Sequence, residues 1–292
     1  MTLLIMAAGS GSRYGKLKQF DTFGPHGEFL MEYSIYDAIY CGFQQIVIVT
    51  REERIPFLEE HFNAKLPSGI SLTIVPQLIQ DIPMASNLWK VREKPWGTAH
   101  AIWAARKEIN TSFVVINADD FYGRDAFKKA AYFLRENPEE TTFGLVSYPL
   151  LNTLSQNGAV SRGICSITQN QLSSIREVER IAQQQDIIID LDTQEPFSGE
   201  ELVSMNFWVC KPLLFREIES YFLEFLQSKD ALQLEAYIPS VIQELIKWKK
   251  INVKNMITTS QWFGITYKED RDIARSHIQD LSSQNKYPQP LW

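Results

Sequence analysis

Cysteine is scarce in this 292-residue sequence: Cys41, Cys165 and Cys210 stand far apart, with no CxxC pair. That spacing excludes a cysteine zinc cluster and a disulfide framework, and it suits a reducing compartment. Long apolar runs are missing as well, since nothing approaches the roughly 20 residues that span a bilayer. The segment from Met1 to Ala8 is too short for a secretory signal and lacks its cationic lead. These absences point to a soluble, cytoplasmic protein with no membrane partner, and they leave the Asn110-Thr111-Ser112 sequon without weight. Positive charge is not in excess either. With 29 Lys and Arg against 35 Asp and Glu the net charge is −6, which argues against a nucleic-acid partner, because that binding relies on cations set against phosphates. Any phosphate site must be local. Internal repeats, low-complexity tracts and linkers rich in Pro, Gly and Ser are also absent.

What is present is an alternation of strand-length apolar runs with amphipathic segments. Leu3 to Ala7, Gln45 to Thr50, Ser71 to Val75, Ser112 to Asn117 and Thr142 to Ser147 are continuously apolar, as strands buried on both faces of a parallel sheet must be. Between them, Met31, Ile35, Ala38 and Ile39 share one helical face before Gly42, and Phe127, Ala130, Ala131 and Leu134 share another before Pro138. Strand, helix, strand implies right-handed crossovers with helices on both sides of a sheet. From about residue 152 the pattern changes to short alternating segments, Gly163 to Thr168, Gln171 to Ile175 and Leu202 to Val209, which predict a mixed or antiparallel extension. Helices are expected again at Leu213 to Gln227, Leu234 to Trp248 and Lys268 to Leu281. The expectation is an α/β chain in one continuous domain, residues 1–292, with 1–150 as one half and 151–292 as a substrate-covering second half. Near the end, Tyr287 and Trp292 fit either a packed tail or a docking patch for a second copy in a homo-oligomer.

Three segments carry chemistry. Directly after the first strand, Ala8, Gly9, Ser10 and Gly11 open a glycine-rich turn in which Arg13, Lys16 and Lys18 reverse the local charge. Glycines let backbone N–H groups approach phosphate oxygens. The spacing is not that of a Walker A loop, because Gly11 and Gly15 enclose three residues and Leu17 follows Lys16. Nor is it a dinucleotide fingerprint, because Tyr14 stands where the third glycine belongs. The second segment, Asn117 to Gly123, puts Asp119 and Asp120 at the carboxyl end of a very apolar strand, where open α/β sheets bind ligands. One or two carboxylates with substrate phosphates are the usual Mg²⁺ environment; a turn or helix cap is the plain alternative. The third segment, Glu93 to Ala101, places Gly97 and Thr98 at the mouth of a helix, where backbone donors face a flat ligand. His100 within it reads as a packed helix residue.

Together these residues resemble a known family. The pattern AAGxGxRxGxxKQ, residues 7–19, is similar to the signature loop of nucleotidyltransferases that join an NTP to a sugar phosphate or a related alcohol phosphate, including glucose-1-phosphate uridylyl- and thymidylyltransferases. The resemblance implies a Rossmann-like three-layer αβα sandwich with a mostly parallel mixed sheet, of the nucleotide-diphospho-sugar transferase type. It gives the loop from Ala8 to Gly11 to the triphosphate, Arg13 to the leaving pyrophosphate and Lys18 to the reacting phosphates. It makes Asp119 the Mg²⁺ ligand with Asp120 beside it, and it turns Gly97, Thr98 and Gln77 toward the base and ribose. In the second half it is looser, with Glu177 and Asn206 set toward the sugar.

The largest departure lies at Trp262-Phe263-Gly264, where many members carry W-x-D and the Asp is a second metal carboxylate. Either Asp119 and Asp120 hold the ion, or Asp270 or another acid substitutes, or turnover is impaired. The activity implied is Mg²⁺-dependent condensation of an NTP with a sugar 1-phosphate. Alternatives are a cytidylyltransferase acting on choline phosphate or a polyol phosphate, and a nucleotide-sugar binding protein without turnover. The failed fingerprint disfavours a dehydrogenase.

Overall fold

Strands that must bury both faces need cover on both sides, and the chain supplies it. A computed structural model describes residues 1–9, 20–63, 65–84, 87–265, 267 and 269–292. The first half runs β1 (Thr2–Met6), α1 (Leu30–Tyr40), β2 (Gln45–Thr50), α2 (Ile55–Phe62), β3 (Ser71–Pro76), α3 (Thr98–Ala104), β4 (Phe113–Asn117), β5 (Asp120–Phe121), α4 (Arg124–Glu136) and β6 (Thr142–Pro149). The second half continues with β7 (Val160–Thr168), β8 (Gln171–Gln184), β9 (Ile187–Asp190), β10 (Pro196–Phe197), β11 (Leu202–Cys210), α5 (Leu213–Gln227), α6 (Ile238–Lys247), β12 (Asn252–Ile257), β13 (Phe263–Gly264) and α7 (Asp270–Ser283).

The central sheet has the order β3–β2–β1–β4–β11–β6–β12. Its neighbours pair in parallel except around β11, which is antiparallel to both β4 and β6. β8, β9 and β10 extend the sheet beyond β12, and β7 bridges β11 and β8, so the predicted antiparallel extension is present. Successive side chains of β1 point to opposite layers. Leu3 and Ile5 pack with Met31 and Ile35 of α1, Leu58 of α2 and Phe127 of α4, whereas Leu4 and Met6 pack with Ile102 of α3, Ile218 of α5 and Val241 of α6. Each such aliphatic side chain, once buried, contributes about 1.5–3 kcal/mol of transfer free energy. The three-layer sandwich is therefore the observed architecture, and its sheet is mixed: mostly parallel across the seven central strands and antiparallel throughout the extension formed by β7 to β10.

Two expected boundaries move for clear reasons. The helix expected over Leu234 to Trp248 starts only at Ile238, because Pro239 has no N–H to donate and fits only the first helical turn. The strand expected at Gln171 to Ile175 runs on to Gln184, its buried Leu172, Val178 and Ile181 separated by exposed charged residues. The end of the chain takes the packed-tail alternative. Tyr287 is buried and donates its hydroxyl to Asp37 at 2.6 Å, and Trp292 donates Nε1 to Glu32 at 2.7 Å, fastening residues 287–292 across α1. Among the described residues no helix is long and apolar enough to cross a membrane.

Candidate active site

Parallel pairing puts the carboxyl ends of β1, β3 and β4 along one sheet edge, and of the described sequence-predicted residues Ala8, Gly9, Gln77, Asp119 and Asp120 follow those ends. Ala8 is buried and Gly9 exposed just beyond β1. Ser10, Gly11, Arg13 and Lys18 lie outside the described residues. Two arginines that sequence reasoning missed hold the start of this turn. Arg54, itself buried, donates Nη1 to the carbonyls of Ala7 (3.1 Å) and Gly9 (3.3 Å), and Arg51 donates Nε to that of Ala8 (3.3 Å). Their sequence signal is only a pair of cations just after a strand.

Beyond β4, Asp119 is half-buried in the turn and Asp120 is buried. Asp120 Oδ2 accepts Asn117 Nδ2 at 2.8 Å and lies 3.1 Å from the Tyr122 hydroxyl. That hydroxyl accepts the Asn117 N–H and also reaches the Met205 carbonyl at 2.9 Å. Asn117 and Tyr122 thus orient the carboxylate and tie it to β11.

Strand β5 pairs with β13 so that Asp120 faces Gly264 directly. A Cβ placed on Gly264 would stand 2.4 Å from Asp120 Oδ1 and 2.7 Å from the Trp262 ring. The space that a side chain at position 264 would need is filled by the Asp120 carboxylate. Asp270 has other duties: its Oδ1 accepts Ser155 Oγ and Asn157 Nδ2 at 2.9 and 2.8 Å, and its Oδ2 accepts the Tyr267 N–H at 2.7 Å.

In the second half, Glu177 of β8 is exposed, pairs with Gly163 of β7 and accepts Ser161 Oγ. Gly163 in turn pairs with Ser204 of β11, where the register with β6 breaks between Ser204 and Trp208. Asn206 occupies that bulge with φ +59°, a left-handed conformation that Asn tolerates. Bulges commonly re-aim side chains beside functional sites. Met205, held by Tyr122, links the bulge to Asp120.

Arg162, which carries no sequence signal, is buried over the Trp262 ring, with 4.8 Å from guanidinium to centroid. Burial pushes its pKa down to about 10, against the attraction of Asp120, Glu177 and Asp270. It lines a cavity of about 440 Å³ with Trp262, Gly264, Asp270 and His277.

On the opposite side, Gln77 reaches Gly97, its Nε2 donating to the Gly97 carbonyl at 3.1 Å. Gly97 has φ +105°, and a Cβ there would stand 2.5 Å from the Ala236 carbonyl, so this glycine permits a close approach to the chain before α6. The Thr98 hydroxyl accepts the Ile238 N–H at 3.0 Å, fixing the start of α6. His100 is a packed residue, as expected: it is 1% exposed and stacks on Phe222.

Burial pushes the His100 pKa down to about 4, from the ordinary value of about 6.5. The unfolded chain therefore binds the proton first on acidification. The stability this neutral ring contributes is complete above pH 6.5 and is lost as pH falls toward 4, by up to about 3 kcal/mol. Urea denaturation at pH 7 and pH 4.5 should show that loss, and His100→Gln should flatten it. An unchanged slope would mean that His100 is not the group responsible.

The sequence model of the nucleotidyl transferase family matches residues 2–179. No curated protein matches the chain in sequence. Among solved structures, a protein from Bacillus anthracis assigned as a glucose-1-phosphate thymidylyltransferase, in complex with a sucrose, superposes with TM-score 0.64 at 16% identity, covering 96% of each chain. The inositol-1-phosphate CTP transferase from T. maritima gives 0.61 at 14%, covering 95% of this chain and 96% of that one. A UDP-glucose pyrophosphorylase from Acinetobacter baumanii gives 0.60 at 15%, covering 94% and 92%. At these identities the likeness is one of fold.

Proposed function

The chain belongs to the nucleotidyl transferase family, and from that premise we propose that it condenses an NTP with a sugar 1-phosphate to give an NDP-sugar and pyrophosphate. One observation carries the reading. The acids Asp119 and Asp120 stand beyond β4, next to the turn that leaves β1, with Gln77 and Gly97 on one side and the β11 bulge on the other. In this reading residues 1–150 bind the nucleotide and 151–292 bind the sugar phosphate.

The sugar phosphate is already ionised and needs no base. One of its oxygens forms a bond to the α-phosphorus as the bond from that phosphorus to the bridging oxygen breaks, and the electron pair leaves with pyrophosphate. Arg13 and Lys18 are assigned to that leaving charge, Glu177 and Asn206 to sugar hydroxyls. Asp119 and Asp120 would hold Mg²⁺; paired carboxylate oxygens are the donors that this hard cation takes. Asp120 brings its carboxylate to the niche left open at Gly264. When bound, the ion supplies counter-charge for the phosphoryl oxygens. The three free cysteines suit a cytoplasmic setting.

A second reading, CTP with a polyol or choline phosphate, is favoured by the similarity of the glycine-rich spacing to cytidylyltransferases and by the fold shared with the inositol-1-phosphate CTP transferase. A screen of four NTPs against sugar 1-phosphates, choline phosphate and polyol phosphates, followed by pyrophosphate release, separates the two. The first reading expects release with a sugar 1-phosphate. Tight NDP-sugar binding without release from any pair would replace both with a binding protein.

A further inference from the structure

Gln77 is the first residue beyond β3, and its amide nitrogen meets two acceptors at once, the Gly97 carbonyl and His100 Nδ1, each at 3.1 Å. Which end of the amide lies there follows from the histidine. Its ring is buried and neutral near pH 7, so it carries one proton. Nε2 stands 2.7 Å from the Asp81 carbonyl oxygen. A carbonyl only accepts, so the proton sits on Nε2 and Nδ1 presents a lone pair. An amide oxygen turned this way would face two other acceptors with no proton among them, a costly arrangement in a half-buried place. The NH₂ group must take the position, one hydrogen to Gly97 and one to His100. The amide oxygen is left at the far end, and no donor among the described residues holds it.

We propose that His100 is a positioning residue that fixes the Gln77 amide so that the cleft wall offers an acceptor, selecting among pyrimidine nucleotides the base whose ring N3 turns an N–H toward it. The inference rests on the reading above in which Gln77 faces the base. A freely turning glutamine serves donors and acceptors alike; a locked one does not. Uracil and thymine carry a proton on N3, whereas cytosine has a bare lone pair there. Where the amide oxygen meets ring position 3 of the base, the lock favours UTP or TTP over CTP, whose only N–H on that edge is the exocyclic amine at position 4, and it bears against the cytidylyltransferase alternative.

Two substitutions divide the functions of the ring. His100→Asn puts an amide oxygen where Nδ1 was, keeping the acceptor for Gln77 and giving up the Asp81 bond. His100→Gln puts an amide nitrogen near Nε2, keeping the Asp81 bond and giving up the acceptor. The readout is the ratio of UTP to CTP affinity, measured by competition on the full chain at pH 7; a partly unfolded fraction weakens both nucleotides alike and leaves the ratio unchanged. Wild type should favour UTP by about tenfold, His100→Asn should stay within about twofold of wild type, and His100→Gln should lose about fivefold, the worth of one hydrogen bond. A histidine that only supports the fold would not separate the two variants in this order. Preference of the wild type for CTP, or an unchanged ratio in His100→Gln, overturns the proposal. Gln77→Ala separates the levels. If it leaves the wild-type ratio intact, Gln77 does not face the base and the underlying reading fails there. If it abolishes the ratio while His100→Gln does not, only the positioning role falls.

Discussion

Gly264→Asp is expected to disable the protein, although it supplies the acid that the family resemblance leads one to expect there. The new Cβ would arrive 2.4 Å from Asp120 Oδ1 and 2.7 Å from the Trp262 ring, and neither neighbour can give way cheaply. Asp120 is held by Asn117 and Tyr122, and the Trp262 ring is buried beneath Arg162. Overpacking of this kind costs about 1–3 kcal/mol, and a second carboxylate against a buried one adds like-charge repulsion. We expect a loss of about 2–4 kcal/mol in urea denaturation, together with at least a 10²-fold fall in pyrophosphate release, the scale on which misplacing a charged group acts. Exchanging both residues, Asp120→Gly with Gly264→Asp, should recover most of the stability, because the carboxylate then enters the same niche from β13. If Gly264→Asp alone proves as stable as wild type, the carboxylate does not occupy that niche.

The second large effect is on turnover alone. Asp119→Ala should lower NDP-sugar formation by about 10²-fold or more, the typical effect of deleting one charge contact at a phosphoryl centre. Its unfolding midpoint should stay close to wild type. Asp119 is half-buried in a turn, outside the apolar layers that hold the sheet. Product formation near the wild-type rate would remove Asp119 from the site.

These two residues also show what a sequence reveals and what it hides. Asp119 was legible because an apolar strand ends just before it, and its placement follows from the parallel pairing of β1 with β4. The runs that became β2 and α5 were legible to the residue, since periodicity and flanking breakers agreed. The glycine at 264 was legible only as a departure. Its cause lies in the register of β13 against β5, a long-range pairing that no local pattern encodes. Arg54 and Arg162 stayed hidden for a related reason. An arginine buried against carbonyls looks the same in sequence as one in solvent, and only tertiary contacts tell them apart. The lock on Gln77 needed three elements brought together: the end of β3, the loop at Asp81 and the first turn of α3. Arg13 and Lys18 keep the roles the resemblance gave them as proposals.

The place of β11 has a bearing on how the chain is made. Residues 202–210 lie between β4 and β6 and pair with both, and β12 on the far side of β6 comes later still, so a nascent chain that has released only its first 150 residues leaves one edge of β4 and both edges of β6 unpaired. Such edges invite pairing with other chains, and slow non-local closure prolongs the exposure. Heterologous production of a fragment ending near residue 150 should therefore yield aggregates, and completion of the fold must wait for translation to pass the bulge that carries Asn206.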